Sequence, residues 1–162
     1  KLKTIGVNAF GSTKITNFIV PKNVVTIEAQ AFQFLNTLTS VTFAEGSQLA
    51  TIGDNAFRET GLTDIAIPAS VSTIGRYAFH NCNNLTNIEM TEGVTSIGDY
   101  AFTDTSITSI FLPKSLTTLG SAVIPDTCLD IYYAGSQNDW YILTNNPDGY
   151  YPDTTVHYNW VV

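Results

Sequence analysis

Cysteine and histidine side chains form disulfides, bind metals and act as nucleophiles or bases, and this chain has two of each. The periodicity of the sequence places Cys82 and Cys128 two repeat units apart. Strands stack about 4.8 Å apart, so the two thiols should lie at least about 10 Å apart, beyond the reach of a disulfide. We therefore predict two buried free thiols. The sequence has no CxxC pair and no His/Cys cluster with zinc-ligand spacing.

The other candidates for chemistry are two histidines and one acidic loop. His80 and His157 have no serine or cysteine partner in a nucleophile motif, so we expect one at the surface and the other in a terminal cap. The segment NNPDGYYPD (145–153) offers oxygen ligands, but it lacks the spacing of a calcium-binding loop. These residues predict no catalytic site, no metal site and no cofactor.

The charge of the chain limits the classes of partner. The formal net charge is −7, and the seven Lys and Arg residues are scattered. Nucleic acids and anionic membranes bind clustered cations, so we expect neither as a partner. The sequence contains no apolar run of about 20 residues and does not begin with an export segment. Because the chain starts inside a repeated phrase, we expect it to be part of a longer protein.

A seven-residue phrase recurs along the chain with nearly constant spacing. It reads TIGVNAF at 4–10, TIEAQAF at 26–32, TIGDNAF at 51–57, TIGRYAF at 73–79 and SIGDYAF at 96–102, with a degenerate sixth copy, TLGSAVI, at 118–124. Successive copies are 22 to 25 residues apart. Self-similarity at this period is typical of a solenoid.

A second phrase, apolar-x-x-apolar-x-apolar, follows each copy and predicts a strand by its alternation. Examples are Leu62, Ile65 and Ile67 in one unit and Leu85, Ile88 and Met90 in the next. One unit of about 22 residues cannot bury enough apolar surface to fold alone, so stacked units must share one core and pair each strand with the next. We interpret the longer third unit, with AEGSQ at 44–48, as carrying a surface bulge.

Two small residues of the first phrase favour tight packing. The glycine after the repeated Ile indicates a bend or a close backbone approach. Glu28 stands at this position in the second unit, so a positive φ is not required there. The Ala before the repeated Phe indicates a tight corner or a short helical turn.

The two phrases together, in their order and spacing, resemble the BspA-like leucine-rich repeat. LTDIAIPASVSTIGRYAF (62–79) and LTNIEMTEGVTSIGDYAF (85–102) carry the pattern almost whole. The resemblance implies a leucine-rich-repeat solenoid that is predominantly β, with parallel strands on a concave face and short helical or 3-10 turns. It also implies secretion or attachment to a bacterial cell wall, roles in adhesion or protein binding, and no catalytic residues.

The repeats give way to an aromatic-rich segment, which predicts two parts of one domain, repeats at 1–133 and a capping segment at 134–162. SQND (136–139) has the form of a helix-opening capping box, with Asp in place of Glu, and TTVHYNWVV (154–162) alternates like a strand. This end of the chain resembles the segment that often closes such arrays in surface proteins of gut and oral bacteria. Its aromatic residues are either packing of the cap or an exposed ligand platform.

The outward-facing strand positions are where a ligand would bind. They form two columns along the stack. The inner column contains the first outward-facing residue of each strand; it is polar throughout and ends in Ser109 and Asp130. The outer column contains the residue two positions later in each strand, and it ends in Glu89, Phe111 and Tyr132. Neighbouring exposed aromatics beside acidic groups can anchor a partner, so these five residues form a predicted binding patch. The alternative is that the cap folds over the aromatics.

Two functions follow from these alternatives. The first is a non-enzymatic protein-binding or adhesion module of a secreted or cell-surface bacterial protein, with a host or bacterial surface protein as partner. The second is a spacer that presents neighbouring domains and binds nothing itself. The oligomeric state is open, and the apolar first layer favours end-to-end pairing of the isolated chain.

Overall fold

The computed structural model describes residues 1–145 and 153–161. The chain forms a succession of short strands and turns that repeats in six stacked layers. In chain order its elements are β1 (Thr4–Ile5), β2 (Asn17–Val20), β3 (Thr26–Ile27), β4 (Ser40–Phe43), β5 (Thr51–Ile52), β6 (Asp64–Ala66), β7 (Thr73–Ile74), β8 (Asn87–Glu89), β9 (Ser96–Ile97), β10 (Ser109–Leu112), β11 (Thr118–Leu119), β12 (Asp130–Tyr133), α1 (Gln137–Thr144) and β13 (Thr155–His157).

The first phrase forms a continuous parallel sheet along one side of the stack. Its six two-residue strands run in the order β1-β3-β5-β7-β9-β11. Thr pairs with Thr or Ser and Ile with Ile or Leu in each step, as in Thr51↔Thr73 and Ile52↔Ile74. The register therefore follows the repeat directly, because each turn of the solenoid returns the chain to the same position one layer on.

The second phrase forms the predicted parallel strands, but they are not paired without interruption. The strands group as β2-β4, β6-β8 and β10-β12-β13, and no bridge joins β4 to β6 or β8 to β10 among the described residues. The expectation that every strand pairs with the next is therefore wrong at two steps. The first of these steps contains the longer loop at 44–48, with a turn at Gly46 (φ 69°), whereas the second has no such insertion.

The corners between the two kinds of strand are successions of turns, and none is a helix among the described residues. The corners contain single turns closed by hydrogen bonds between residues three apart, as from Ala56 N to Gly53 O at 3.2 Å, and residues with positive φ keep these turns from continuing as helices. The residue before each Ala-Phe pair is left-handed, as in Tyr77 (φ 54°) and Tyr100 (φ 58°). This conformation points its N–H at the next layer, where Tyr77 N donates to Asp99 O at 2.9 Å.

A ladder of phenylalanine rings fills the core beside these corners. Phe32, Phe57, Phe79 and Phe102 are fully buried. Neighbouring rings are stacked with centroids 5.1 to 5.7 Å apart, and Phe10 continues the stack at 4.7 Å from Phe32. The alanine before each ring brings the backbones together, so that Phe57 N donates to Ala78 O at 2.8 Å.

The repeated glycine is explained by close approach of the backbone. A Cβ added at Gly98 would lie 2.6 Å from Arg76 N and 2.8 Å from Gly75 C, and real Cβ atoms do not come so close to backbone. In the second unit Glu28 takes this position and accepts from Val7 N at 3.0 Å. The prediction that a positive φ is not required here agrees with the structure, in which this glycine is never left-handed.

Both cysteines are buried free thiols, as predicted. Cys82 Sγ donates to Phe57 O at 3.0 Å and lies 3.2 Å from Thr60 Oγ1. Burial raises the pKa of Cys82, and it raises the pKa of Cys128 to about 11. Both thiols are therefore protonated at neutral pH and are part of the core.

The helix α1 begins with the predicted capping box. Ser136 Oγ accepts from Asp139 N at 3.2 Å, and the Asp139 carboxylate accepts from Ser136 N at 2.9 Å, so Asp replaces the usual Glu without loss of the motif. The helix places Trp140, which is fully buried, against Tyr133 with ring centroids 5.3 Å apart. None of the helices in the described part of the chain is both long and apolar enough to cross a membrane.

The capping box predicts a specific acid sensitivity. Hydrogen bonds from the backbone N–H and the hydroxyl of Ser136 lower the pKa of Asp139 below its usual 3.8. Because the pKa is lower in the folded state, the carboxylate contributes stability above pH 3.8, and that contribution is lost as the pH falls through the folded-state value. We expect the difference in urea midpoint between the wild type and Asp139→Asn to shrink from pH 5 towards pH 2. A difference that stays constant over this range would contradict the assignment.

Candidate functional site

Four of the five residues of the predicted patch are brought together by the pairing of β10 with β12. The register aligns Ser109 with Asp130 and Phe111 with Tyr132. Ser109 is exposed, and the other three are half-buried. The alternation of the strands sends these side chains outward, while Ile110 and Ile131 enter the core. The paired strands thus present two aromatic rings beside a serine and a carboxylate.

Glu89 is the fifth residue of the patch, and it lies on the neighbouring ladder. It is exposed at the end of β8 and aligns with Ala66 of β6. Although β8 and β10 pack against each other, no bridge sets a register between them. Glu89 therefore belongs to the same face of the solenoid but is held by a different pair of strands.

The terminal strand β13 extends this face by one layer. Its pairing with β12 aligns Tyr132 with His157, and the two rings are stacked with centroids 4.6 Å apart and planes at 11°. His157 Nε2 lies 2.8 Å from Asp130 Oδ1. The imidazole thus contacts both columns of the face at once, and it fixes the Asp130 carboxylate beside Tyr132.

Trp160 completes an aromatic cluster at this end of the face. Its ring lies 4.6 Å from Tyr132 and 6.3 Å from His157. The backbone holds the residue in place, since Trp160 N donates to Tyr133 O at 3.1 Å. Trp160 is 46% exposed. The segment after β13 therefore covers part of Tyr132 and adds an exposed indole to the same surface.

An apolar groove of about 830 Å³ lies between Phe111 and Trp160. Ala134 and Val161 contribute to its walls, and Lys114 lies at its edge. The adjacent loop is tied down by Glu92, whose carboxylate accepts from Lys114 N at 2.9 Å and from Ser115 N at 3.0 Å. The lining of the groove therefore combines this fixed loop with Trp160 of the aromatic cluster.

Sequence reasoning missed His157 and Trp160 as members of this face. The alternation in TTVHYNW could have revealed His157, because Val156 faces inward beside Ile131 when the strand is aligned with β12. Trp160 lies beyond the strand, and nothing in the repeat pattern determines where its ring goes. The two cap aromatics therefore differ in role: Trp140 is core, whereas Trp160 is surface.

The remaining candidates for chemistry are isolated from this face. His80 is largely buried, with its Nδ1 3.7 Å from the Asp104 carboxylate. Within residues 1–145 and 153–161, no three His, Cys, Asp or Glu side chains form a group that could hold a metal. The segment 145–153, considered above as a calcium-binding loop, lies mainly outside the described residues.

The comparison with protein families gives a match over most of the chain. Six copies of the BspA type leucine rich repeat region match residues 3–129. No curated protein matches the sequence.

Two solved structures show the same fold. The pneumococcal vaccine antigen PcpA is 24% identical with a TM-score of 0.72, over 85% of this chain and 37% of that one. A leucine rich cell surface protein from Faecalibacterium prausnitzii A2-165 is 23% identical with a TM-score of 0.59, over 82% of this chain and 43% of that one. The chain thus spans less than half the length of either structure. With six matched repeats in a parallel-stranded solenoid, it belongs to the BspA-type leucine-rich repeat family.

Proposed function

We propose that this chain is a non-enzymatic protein-binding module of a bacterial cell-surface protein, and that it binds through the aromatic end of its strand face. The supporting observation is the groove between Phe111 and Trp160. Exposed aromatic side chains around an apolar depression are typical of the residues that dominate protein interfaces. A role in adhesion to host or bacterial surfaces is the form of binding that such a module would serve.

The surface location of the parent protein is part of the proposal. The structure from Faecalibacterium prausnitzii is described as a cell surface protein, and PcpA is described as a vaccine antigen. Both descriptions support an exported protein for the present chain as well. The domain division also stays a proposal, with repeats at 1–133 and a capping segment at 134–162.

The charges of the face suggest the chemistry of the partner. Asp64, Glu89 and Asp130 point outward from the strands, and the whole chain carries a net charge of −7. A complementary partner presents an apolar or aromatic side chain for the groove and lysine or arginine around it, since opposite potentials speed association and suppress wrong partners. The same charge disfavours nucleic acid as a partner.

The alternative is a spacer that binds nothing itself. The observation that favours it is the partial covering of Tyr132 by His157 and Trp160, together with the polar inner column from Asn17 to Asp130. The binding function is better supported because Trp160, one of the two covering residues, itself lines an apolar groove.

Retention of purified host-surface and extracellular-matrix proteins on the immobilised chain tests the proposal. We expect Phe111→Ala and Trp160→Ala each to weaken the retention of a bound protein at least tenfold, because each removes an aromatic ring from the lining of the groove. Ile19→Ala is the matched control, since Ile19 is 65% exposed in the same column at the far end of the array. Retention of no protein would support the spacer, whereas retention that neither groove variant changes would place the binding surface away from this groove and contradict the proposed site.

A further inference from the structure

A second groove runs along a corner of the solenoid, away from the strand face, and it arises from loop length. Five residues (33–37) separate Phe32 from Leu38, whereas four (58–61) separate Phe57 from Leu62. The shorter loop of the third layer leaves a depression of about 590 Å³ between its two longer neighbours. Gly61 forms part of its floor, where a Cβ would lie 2.3 Å from Asn36 O.

The same pattern continues the groove over the next layers. Five residues (80–84) follow Phe79 in the fourth layer and four (103–106) follow Phe102 in the fifth. The resulting depression of about 390 Å³ shares Asn81 and Asn83 with the first one. The two depressions are therefore neighbours that share the longer loop 80–84 as a common wall, and together we call them the corner groove.

Phe34, at one end of the corner groove, is a bulky residue at a position where the backbone is left-handed and its N–H donates to Arg58 O of the next layer at 2.9 Å. Its φ is 64°, a conformation that bulky residues rarely adopt. The equivalent positions in other layers are also left-handed and hold Ser12, Glu59, Asn81 and Asp104. The ring is 59% exposed, and Arg58 approaches it with its guanidinium carbon 5.7 Å from the ring centroid. Exposed, strained residues of this kind cluster at functional sites.

Unused amide groups line the groove beside Phe34. The side chains of Asn36, Asn81, Asn83 and Asn84 line the first depression, and none of these amides forms a hydrogen bond with another described residue. Each amide offers two donors and one acceptor oxygen. By contrast, the threonine hydroxyls in the same groove bond to backbone, as Thr60 does to Phe57 O at 2.9 Å.

We infer that the corner groove is a binding site for a neutral, β-linked saccharide chain, with one pyranose ring stacked on Phe34 and its hydroxyls bonded to the asparagine amides. Sugar hydroxyls both donate and accept hydrogen bonds, which matches amides better than it matches ammonium or carboxylate groups alone. The C–H face of a pyranose packs on an aromatic ring. The phenylalanine rings of successive layers lie 5.1 to 5.7 Å apart, a spacing close to the length of one β-linked pyranose unit, so successive sugars can meet successive layers.

A cationic peptide is the competing ligand, because Glu59, Asp104 and Asp126 also line the groove. The charges at the Phe34 end favour the saccharide. Glu59 is paired with Arg58 at 3.1 Å, and that arginine would repel a second cation near the ring. The four amides at this end carry no charge. The inference concerns a different surface from the groove at Phe111 and does not depend on the proposed protein binding.

Binding of cellohexaose and chitohexaose to the intact chain, followed by NMR titration and calorimetry, tests the inference. We expect saturable binding of at least one of them, with the largest shifts in the Phe34 ring and in the side-chain amides of Asn81 and Asn83. Phe34→Asn should weaken binding at least tenfold. Because asparagine accepts a left-handed backbone better than phenylalanine does, this variant should fold with a urea midpoint at or above that of the wild type.

Two further variants, and hexalysine as a third probe, complete the test. Asn83→Ala should weaken binding severalfold without changing the backbone. Tyr77→Asn is the control, since it also replaces a left-handed aromatic residue but lies outside the groove, and it should leave binding unchanged. Binding of neither hexasaccharide, binding that Phe34→Asn leaves intact, or preferential binding of hexalysine would overturn the inference.

Discussion

Replacement of Gly98 by alanine is expected to lower the free energy of unfolding by about 3 kcal/mol, the upper end of the cost of overpacking. The added methyl group would lie 2.6 Å from Arg76 N and 2.8 Å from Gly75 C. Both are backbone atoms of the preceding layer, so no side chain can move aside and the layers themselves must separate. Urea unfolding followed by circular dichroism measures the change.

Gly6→Ala is the matched control for this prediction. Gly6 holds the same place in the first layer, but its added Cβ would meet only Glu28 Oε2 at 3.7 Å, an ordinary contact. We expect its urea midpoint to stay close to that of the wild type. Equal losses in the two variants would mean that the glycine is required for its own conformation and not for the approach of two layers.

Phe79→Ala is expected to have the largest effect, a loss of about 3 to 5 kcal/mol. The ring is fully buried and stacks on Phe57 at 5.3 Å and on Phe102 at 5.7 Å. Its removal leaves a cavity in the middle of the ladder that the rigid layers on either side cannot close. The free energy of unfolding in urea is the measurement.

The position of the ring in the ladder provides the control. Phe10, in the first layer, is only partly buried and has a ladder neighbour on one side, so Phe10→Ala should cost clearly less than Phe79→Ala. The account would be contradicted by equal costs, because the stabilisation would then come from each ring alone and not from its place between two layers.

The repeat could be predicted in detail from the sequence because every layer restates the same contacts. The strand residues of β5 and β7 recur as Thr-Ile, and the register of the sheet follows from that identity alone. The free thiols also followed from the register, since the spacing of layers rules out a bridge between Cys82 and Cys128. Because every layer makes the same contacts, the correct interpretation of one repeat unit predicts the structure of the others.

The corners were harder to predict because their conformation depends on hydrogen bonds between layers. Tyr77 and Tyr100 are poor candidates for a left-handed backbone by residue type, and yet both adopt it because their N–H groups bond to the next layer. The tertiary arrangement overrides local preference at these positions. The missing bridges between β4 and β6 and between β8 and β10 likewise depend on contacts between units, which the sequence pattern of one unit does not determine.

The candidate site was predictable in part, up to the point where the repeat ends. Phe111 and Tyr132 are neighbours because β10 and β12 still follow the repeat. The placement of Trp160 could not be predicted, because it depends on how an irregular segment returns across the end of the stack. The alternatives of a cap and a ligand platform are also not exclusive, since this segment both covers Tyr132 and exposes Trp160.

Hydroxyl-radical labelling of the chain, free and bound to a protein that it retains, tests most directly whether the strand face is a binding surface. The account predicts that Phe111 and Trp160 are labelled in the free chain and protected in the complex, while Tyr77, on a corner of the solenoid, is labelled equally in both. Trp140, which is fully buried, gives the rate for an inaccessible ring. Labelling of Trp160 at that low rate in the free chain, or equal labelling of Phe111 and Trp160 in both states, would contradict the account, because the retained protein would then contact another surface of the chain.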